Sequence, residues 1–312
     1  MFLQTASKRL AWLAVPAALL ISSVASAAPT KSFTAATASL PADTEVLASS
    51  NVKAVRSTEV FKKLFPELLK MERDVPEMID KVKKTCAIDV VASVDDVTFG
   101  MDAKEGGAFF VAVAGLTETK VIDCLQKVAK SEGEAVTTKK TGNITEVKGD
   151  KSSKSFFFSW QTGDVLVIAI RPDDKVMLER SLAGKGALAT KSKMAARLAK
   201  TNPENALTVV WSKSTPIEKK TVKGGDFSLA VGGGGVTLTA NAEMASSAEA
   251  DDIVKMGKQV STFIPKGAPK ELDRIAKTLV ITSSGTDVKV TLSGSEKDVI
   301  SMLQQGLKKK KS

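Results

Sequence analysis

Two stretches of this chain follow one order: an apolar strand, a strand pair, a helix, a second strand pair and a helix. That repetition constrains the fold more than any single motif. Strands joined by a tight turn pair antiparallel, and a helix that follows them must lie on the sheet to bury its apolar stripe. In the first stretch Pro41-Ala42-Asp43 leads into an apolar run over residues 45–51. Val60, Phe61, Leu64, Phe65, Leu68 and Leu69 then recur at helical spacing, with Pro66 marking a break or kink. A helix over 76–84 and strands over 96–102 and 108–116 follow. Thr117 is placed to cap a helix carrying Val121, Ile122, Cys124, Leu125 and Val128 on one face. Strand-like runs over 134–139, 143–148, 155–160 and 164–170 precede helices over 172–182 and 192–200, the first ending before Gly184.

The second stretch shortens this order. Pro203-Glu204-Asn205 leads into a strand over 206–212, and strands over 226–231 and 236–242 precede a helix over 248–263. Strands over 279–282 and 287–292 precede a helix over 296–307, which Ser295 and Asp298 open in the manner of a capping box. The expected class is therefore α+β: antiparallel sheets with helices packed on one face, in two similar halves. Along the chain this gives a leader over 1–27, a spacer over 28–39, a first half over 40–201, a second half over 202–307 and a basic tail over 308–312.

The leader is read from Lys8 and Arg9 before an apolar run over 10–24, then the small residues Ala25-Ser26-Ala27. The run is shorter than the roughly 20 apolar residues that cross a bilayer. Cleavage near Ala27 sends the protein to the periplasm or medium. It also removes two basic groups from a formal charge of +10, leaving a mature chain of +8. In an oxidising compartment Cys86 and Cys124 are expected to form a disulfide; no Cys-x-x-Cys motif supports redox chemistry.

The chain has no histidine and no tyrosine. That removes the Ser-His-Asp and Cys-His arrangements and the usual zinc sites. Carboxylate pairs are the remaining catalytic option, but Asp95-Asp96, Asp173-Asp174 and Asp251-Asp252 stand at expected element starts, where they cap amides or complement a helix dipole. The glycines of Val231-Gly232-Gly233-Gly234-Gly235-Val236 lie between two strands with no Lys-Ser or Lys-Thr after them, and so form a hairpin turn rather than a phosphate cradle. Neither catalysis, nor a cofactor, nor a metal is expected.

Basic charge is scattered over Lys62-Lys63, Lys83-Lys84, Lys139-Lys140 and Lys219-Lys220, without interleaved stacking aromatics, which argues against a nucleic-acid partner. Lys308, Lys309, Lys310 and Lys311 are either a solvated helix end or a peripheral contact to an anionic surface. Phe109-Phe110 and Phe156-Phe157-Phe158 with Trp160 fill a core or line an apolar pocket.

The order Leu40-Pro41-Ala42-Asp43-Thr44, a strand, then Asn51-Val52-Lys53 and a helix resembles a family of secreted bacterial proteins built on a domain of unknown function. So does Gly163-Asp164-Val165-Leu166-Val167-Ile168, followed by the helix over 176–182, Leu188-Ala189 and Asn205-Ala206-Leu207. The resemblance implies an extracytoplasmic, non-catalytic, duplicated α+β protein, and supplies no active-site residues. The functional expectation is binding: of a protein partner or envelope component, or of a small apolar or anionic ligand in the crease between the halves. The alternative is an envelope-associated structural protein held to an anionic surface by its basic face and tail.

Overall fold

The computed structural model describes residues 29–70, 74–102, 106–162, 164–217, 220–260 and 268–309, without the side chains at 68, 260 and 306–309. The expected leader over 1–27 lies outside the described residues, as do Lys310 and Lys311.

The chain begins with α1 (Lys31–Ser39), β1 (Thr44–Ser50), α2 (Val52–Arg56), α3 (Glu59–Leu69), α4 (Asp74–Cys86) and α5 (Val90–Ser93). The hairpin β2 (Val94–Asp102) and β3 (Gly107–Val113) leads to α6 (Glu118–Ser131), and four strands follow: β4 (Val136–Thr141), β5 (Ile144–Gly149), β6 (Ser155–Gln161) and β7 (Val165–Ala169). Short helices α7 (Lys175–Ser181), α8 (Ala187–Lys191) and α9 (Ala195–Leu198) lead to β8 (Leu207–Trp211), β9 (Thr215–Ile217), β10 (Lys220–Gly232) and β11 (Gly235–Met244). The chain ends with α10 (Ser247–Val260), α11 (Lys270–Ala276), β12 (Val280–Ser284), β13 (Asp287–Ser295) and α12 (Glu296–Lys309).

Among the described residues thirteen strands form one antiparallel sheet in the order β12-β13-β11-β10-β8-β1-β2-β3-β7-β6-β5-β4, with β9 beside β10. The α+β class follows directly. The two strand sets meet at the β1–β8 pair, where Leu47 faces Val210 and Ser49 faces Thr208. Outward from that pair, β2, β3, β7 and β6 follow in the same order as β10, β11, β13 and β12, each running opposite to its counterpart because every pairing is antiparallel, and the β4–β5 hairpin extends the first set.

Local chemistry sets the element ends. Thr117 Oγ1 accepts from the Lys120 amide at 3.2 Å and Asp174 Oδ1 from the Met177 amide at 3.0 Å. Ser295 Oγ accepts from the Asp298 amide at 3.1 Å and donates to the Asp298 carboxylate at 2.9 Å, closing the capping interaction of α12. Gly233 and Gly234 take positive φ, 60° and 78°, in the turn between β10 and β11. The glycine run is a hairpin turn, as its position between strands implies.

Three expectations need correction. The described part of the expected spacer over 28–39 is not a linker, since 31–39 form α1, and Phe33, Ala36 and Leu40 enter the main core beside Phe110, Val167 and Leu178. Pro66 does not break α3; the helix continues to Leu69, with the Lys70 amide bonded to the Pro66 carbonyl at 3.2 Å. Helices also cover both faces of the first strand set, not one. Val167 joins the core under α1 and α7, whereas its neighbour Ile168 joins a second cluster with Phe158 and with Ile122 and Leu125 of α6.

The strand sets are packed together as well as paired. Val60 and Leu64 of α3, early in the chain, share a core with Val231, Val236 and Ile300 near its end.

Candidate functional site

The face of the first strand set turned toward α2–α6 carries an apolar cavity of about 250 Å³. Its floor follows from strand alternation. On β3, Ala108, Phe110 and Ala112 point into the main core, so Phe109, Val111 and Val113 point the other way and line the cavity. Register sets Val97 of β2 against Val111 and Leu166 of β7 against Val111 on the far side, which gives a continuous aliphatic surface. Phe99 and Phe109 rings pack at 4.8 Å between centroids at one end of it.

Helices supply the roof. Phe61 and Phe65, one turn apart on α3, stack at 4.5 Å between centroids and line the cavity, as does Val52 of α2. Ile79 of α4, Val90 and Val91 of α5 and Val121 of α6 complete it. Phe61, Phe65, Ile79 and Val121 are only half-buried, so this roof is not close-packed on the floor. Val121 and Cys124 stand three residues apart on one face of α6, and the Cys86–Cys124 disulfide, with Cα atoms 5.3 Å apart, ties α4 to α6 beside the cavity. An ion pair from Lys81 of α4 to Glu132, the C-cap of α6, spans the same two elements.

Every lining side chain is apolar. Charged side chains on the roof helices are not among the lining residues, and several pair with one another: Lys62 with Glu59 at 3.1 Å, Lys83 with Asp89 at 2.7 Å, Lys84 with Asp80 at 2.7 Å. The hydrogen bonds from Lys84 and Lys83 hold the Asp80 and Asp89 carboxyls below their ordinary range. None of the lining side chains is an acid, base, nucleophile or metal ligand, and walls of this kind suit apolar matter.

The residues singled out in the sequence fall in different places. Phe109 lines the cavity, Phe110 and Phe158 are fully buried in cores on opposite faces, and neither Phe156, Phe157 nor Trp160 is a lining residue. The cavity lies within the first strand set, not in a crease between halves. Asp96 is buried at 5% exposure beneath α1, and Asp95 lies 3.8 Å from Arg56. Asp173 pairs with Lys154, and Asp252 with Lys220. No two of these carboxylates share the cavity. Lys308 and Lys309 fall in the last turn of α12, their side chains outside the described residues.

Val90, Val91 and Val94 were missed because residues 87–94 carry no readable periodicity; their run of valines behind Asp89, which caps α5 through the Ala92 amide at 3.0 Å, was the available signal. Among the described residues no group of three or more Cys, Asp or Glu side chains is placed to hold a metal, and no helix is long and apolar enough to cross a membrane.

No family model matches the chain, and no curated protein matches it. Among solved structures, crystal form III of TP0453 is similar at a TM-score of 0.48 and 11% identity, over 90% of this chain and 100% of that one. Crystal form I of TP0453 is similar at a TM-score of 0.46 and 13% identity, over 90% of this chain and 98% of that one. At these TM-scores the likeness carries no argument about family, ligand or activity.

Proposed function

We propose that this is an exported, non-catalytic protein that binds a small apolar molecule in the cavity between β2, β3 and β7 and helices α2–α6. The observation that carries the reading is a cavity of about 250 Å³ walled only by apolar side chains, several of them half-buried. A core built for stability alone packs to crystal-like density, with few voids larger than a water molecule. Export is supported by the leader pattern over 1–27 and by a cysteine pair joined in a bridge, which persists in oxidising compartments.

Titration of the mature protein with N-phenyl-1-naphthylamine, whose fluorescence rises in apolar surroundings, tests the reading. Saturable binding is expected. Val111→Asp, which sets a carboxylate in the middle of the cavity floor, is expected to weaken binding at least tenfold while far-UV circular dichroism is retained. Val176→Asp, a control on an exposed α7 position, is expected to leave binding unchanged. Absence of dye binding, or equal loss in both variants, refutes the reading.

A further inference from the structure

We infer that the ligand is a single-chain amphiphile, with a straight hydrocarbon chain of about ten carbons inside the cavity and its polar head outside. The inference rests on the cavity reading above and deepens it.

Three observations carry it. First, the walls offer no hydrogen-bond donor or acceptor side chain, and a polar group taken from water without a partner is heavily penalised, so any head must stay in solvent. Secondly, the cavity is partly open rather than sealed, and Phe61 and Phe65 on α3, Ile79 on α4 and Val121 on α6 are only half-buried around it, so a molecule lodged there can remain continuous with solvent. Thirdly, volume limits the chain. An apolar cavity of about 150 Å³ takes benzene, so the 250 Å³ here has room for roughly ten carbons and not for a two-chain lipid.

The chain, not the head, then sets selectivity. Several charges on the roof helices pair with each other, as Lys62 does with Glu59 and Lys83 with Asp89. With acids and bases interleaved in this way, the pairs offer no net charge that would select a head.

The test is displacement of N-phenyl-1-naphthylamine from the mature protein by straight-chain carboxylates of increasing length, below their micellar concentrations. Affinity is expected to rise about fourfold per added methylene and to level off near ten carbons. Decyl sulfate and decyltrimethylammonium are expected to match decanoate within a few-fold. Val111→Phe, which fills the floor, should shift the levelling-off point to shorter chains. Ile79→Phe on half-buried α4 repeats that test from the roof, in case the floor variant fails to fold. Dye binding with no dependence on chain length, or with the sign of the head dominating, overturns the amphiphile and leaves the apolar-cavity reading standing. Failure of the dye itself to bind overturns both.

Discussion

Asp96 supplies at long range what the sequence of α1 lacks. Thr30, at the head of that helix, makes no side-chain cap, and the Ser32 amide donates instead to Asp96 Oδ1 at 2.7 Å, sixty-four residues away. The Ser32 and Thr98 hydroxyls share a 2.8 Å hydrogen bond beside it, and Ser49 bonds Thr98 at 2.9 Å. Burial raises the Asp96 pKa, with Asp95 adding to the effect; burial and the nearby Asp96 charge likewise raise that of Glu204. A carboxyl raised in the fold stabilises the native state fully below its unfolded pKa of about 4 and loses that contribution as pH rises through the raised value. Asp96→Asn keeps an oxygen for Ser32 but does not titrate. Its melting temperature, measured against wild type, is expected to shift in the variant's favour between pH 4 and pH 7, and a pH-independent difference contradicts the assignment. Asp96→Ala removes the acceptor as well and is expected to cost about 1 kcal/mol, the ordinary worth of an N-cap. The Asp95-Asp96 pair was legible as an element start, but α1 was not. With Phe33, Ala36 and Leu40 as its few large or packed positions, the helix depends on a site elsewhere in the chain, which local pattern does not encode.

Element types were readable because alternation and helical spacing report burial, and the one misjudged layer shows how. On β11 and β13 the residues alternate strictly: Leu238 faces Leu292 and Ala240 faces Val290, whereas Thr239 faces Thr291 and Asn241 faces Lys289. Helix packing is expected on one face there, and α3 and α12 lie on the side of Val231 and Val236. On β3 and β7 the runs Ala108-Phe109-Phe110-Val111-Ala112-Val113 and Val165-Leu166-Val167-Ile168-Ala169 do not alternate. A continuous apolar strand is covered on both faces, and that difference between the halves was present in the sequence as the sign that helices bracket the first strand set. What was not present is that the second layer would stand off and leave a cavity. Helix α4 is anchored there by the bridge from Cys86 to Cys124, which closes a separation of 38 residues. In the chain-entropy picture such a loop contributes about 4 kcal/mol at most. The Cys86→Ala/Cys124→Ala double variant is expected to lose 2–4 kcal/mol in urea unfolding and to bind the apolar dye more weakly, because α4 carries Ile79 over the cavity. Unchanged stability removes the bridge from the account of the roof.

At the scale of the whole molecule, the repeated order of elements invites a division near residue 201, yet the contacts run across it. Strand β1 pairs with β8 at the centre of the sheet, and Val55, Val60 and Leu64 are buried with Ala206, Val231, Val236 and Ile300. Arg197 of α9 reaches across to Glu243 of β11 at 2.6 Å and lies 3.8 Å from Asp226 of β10. A set of strands that loses its neighbour here exposes a central strand edge and half of a buried cluster, so the two sets are expected to unfold together. Trp160 on β6 and Trp211 on β8 are both half-buried, the first within the first set and the second packed against Val222, Met244 and Val288 of the other, and Trp12 leaves with the leader if cleavage occurs as expected. Trp160→Phe and Trp211→Phe therefore give mature proteins that each report one set by fluorescence. In urea the two variants are expected to show transitions of equal slope, each coinciding with loss of far-UV circular dichroism in the same sample. Separate midpoints for fluorescence and circular dichroism within one variant, with one set melting first, contradict the shared core and restore the division at residue 201 as a boundary between independently stable units.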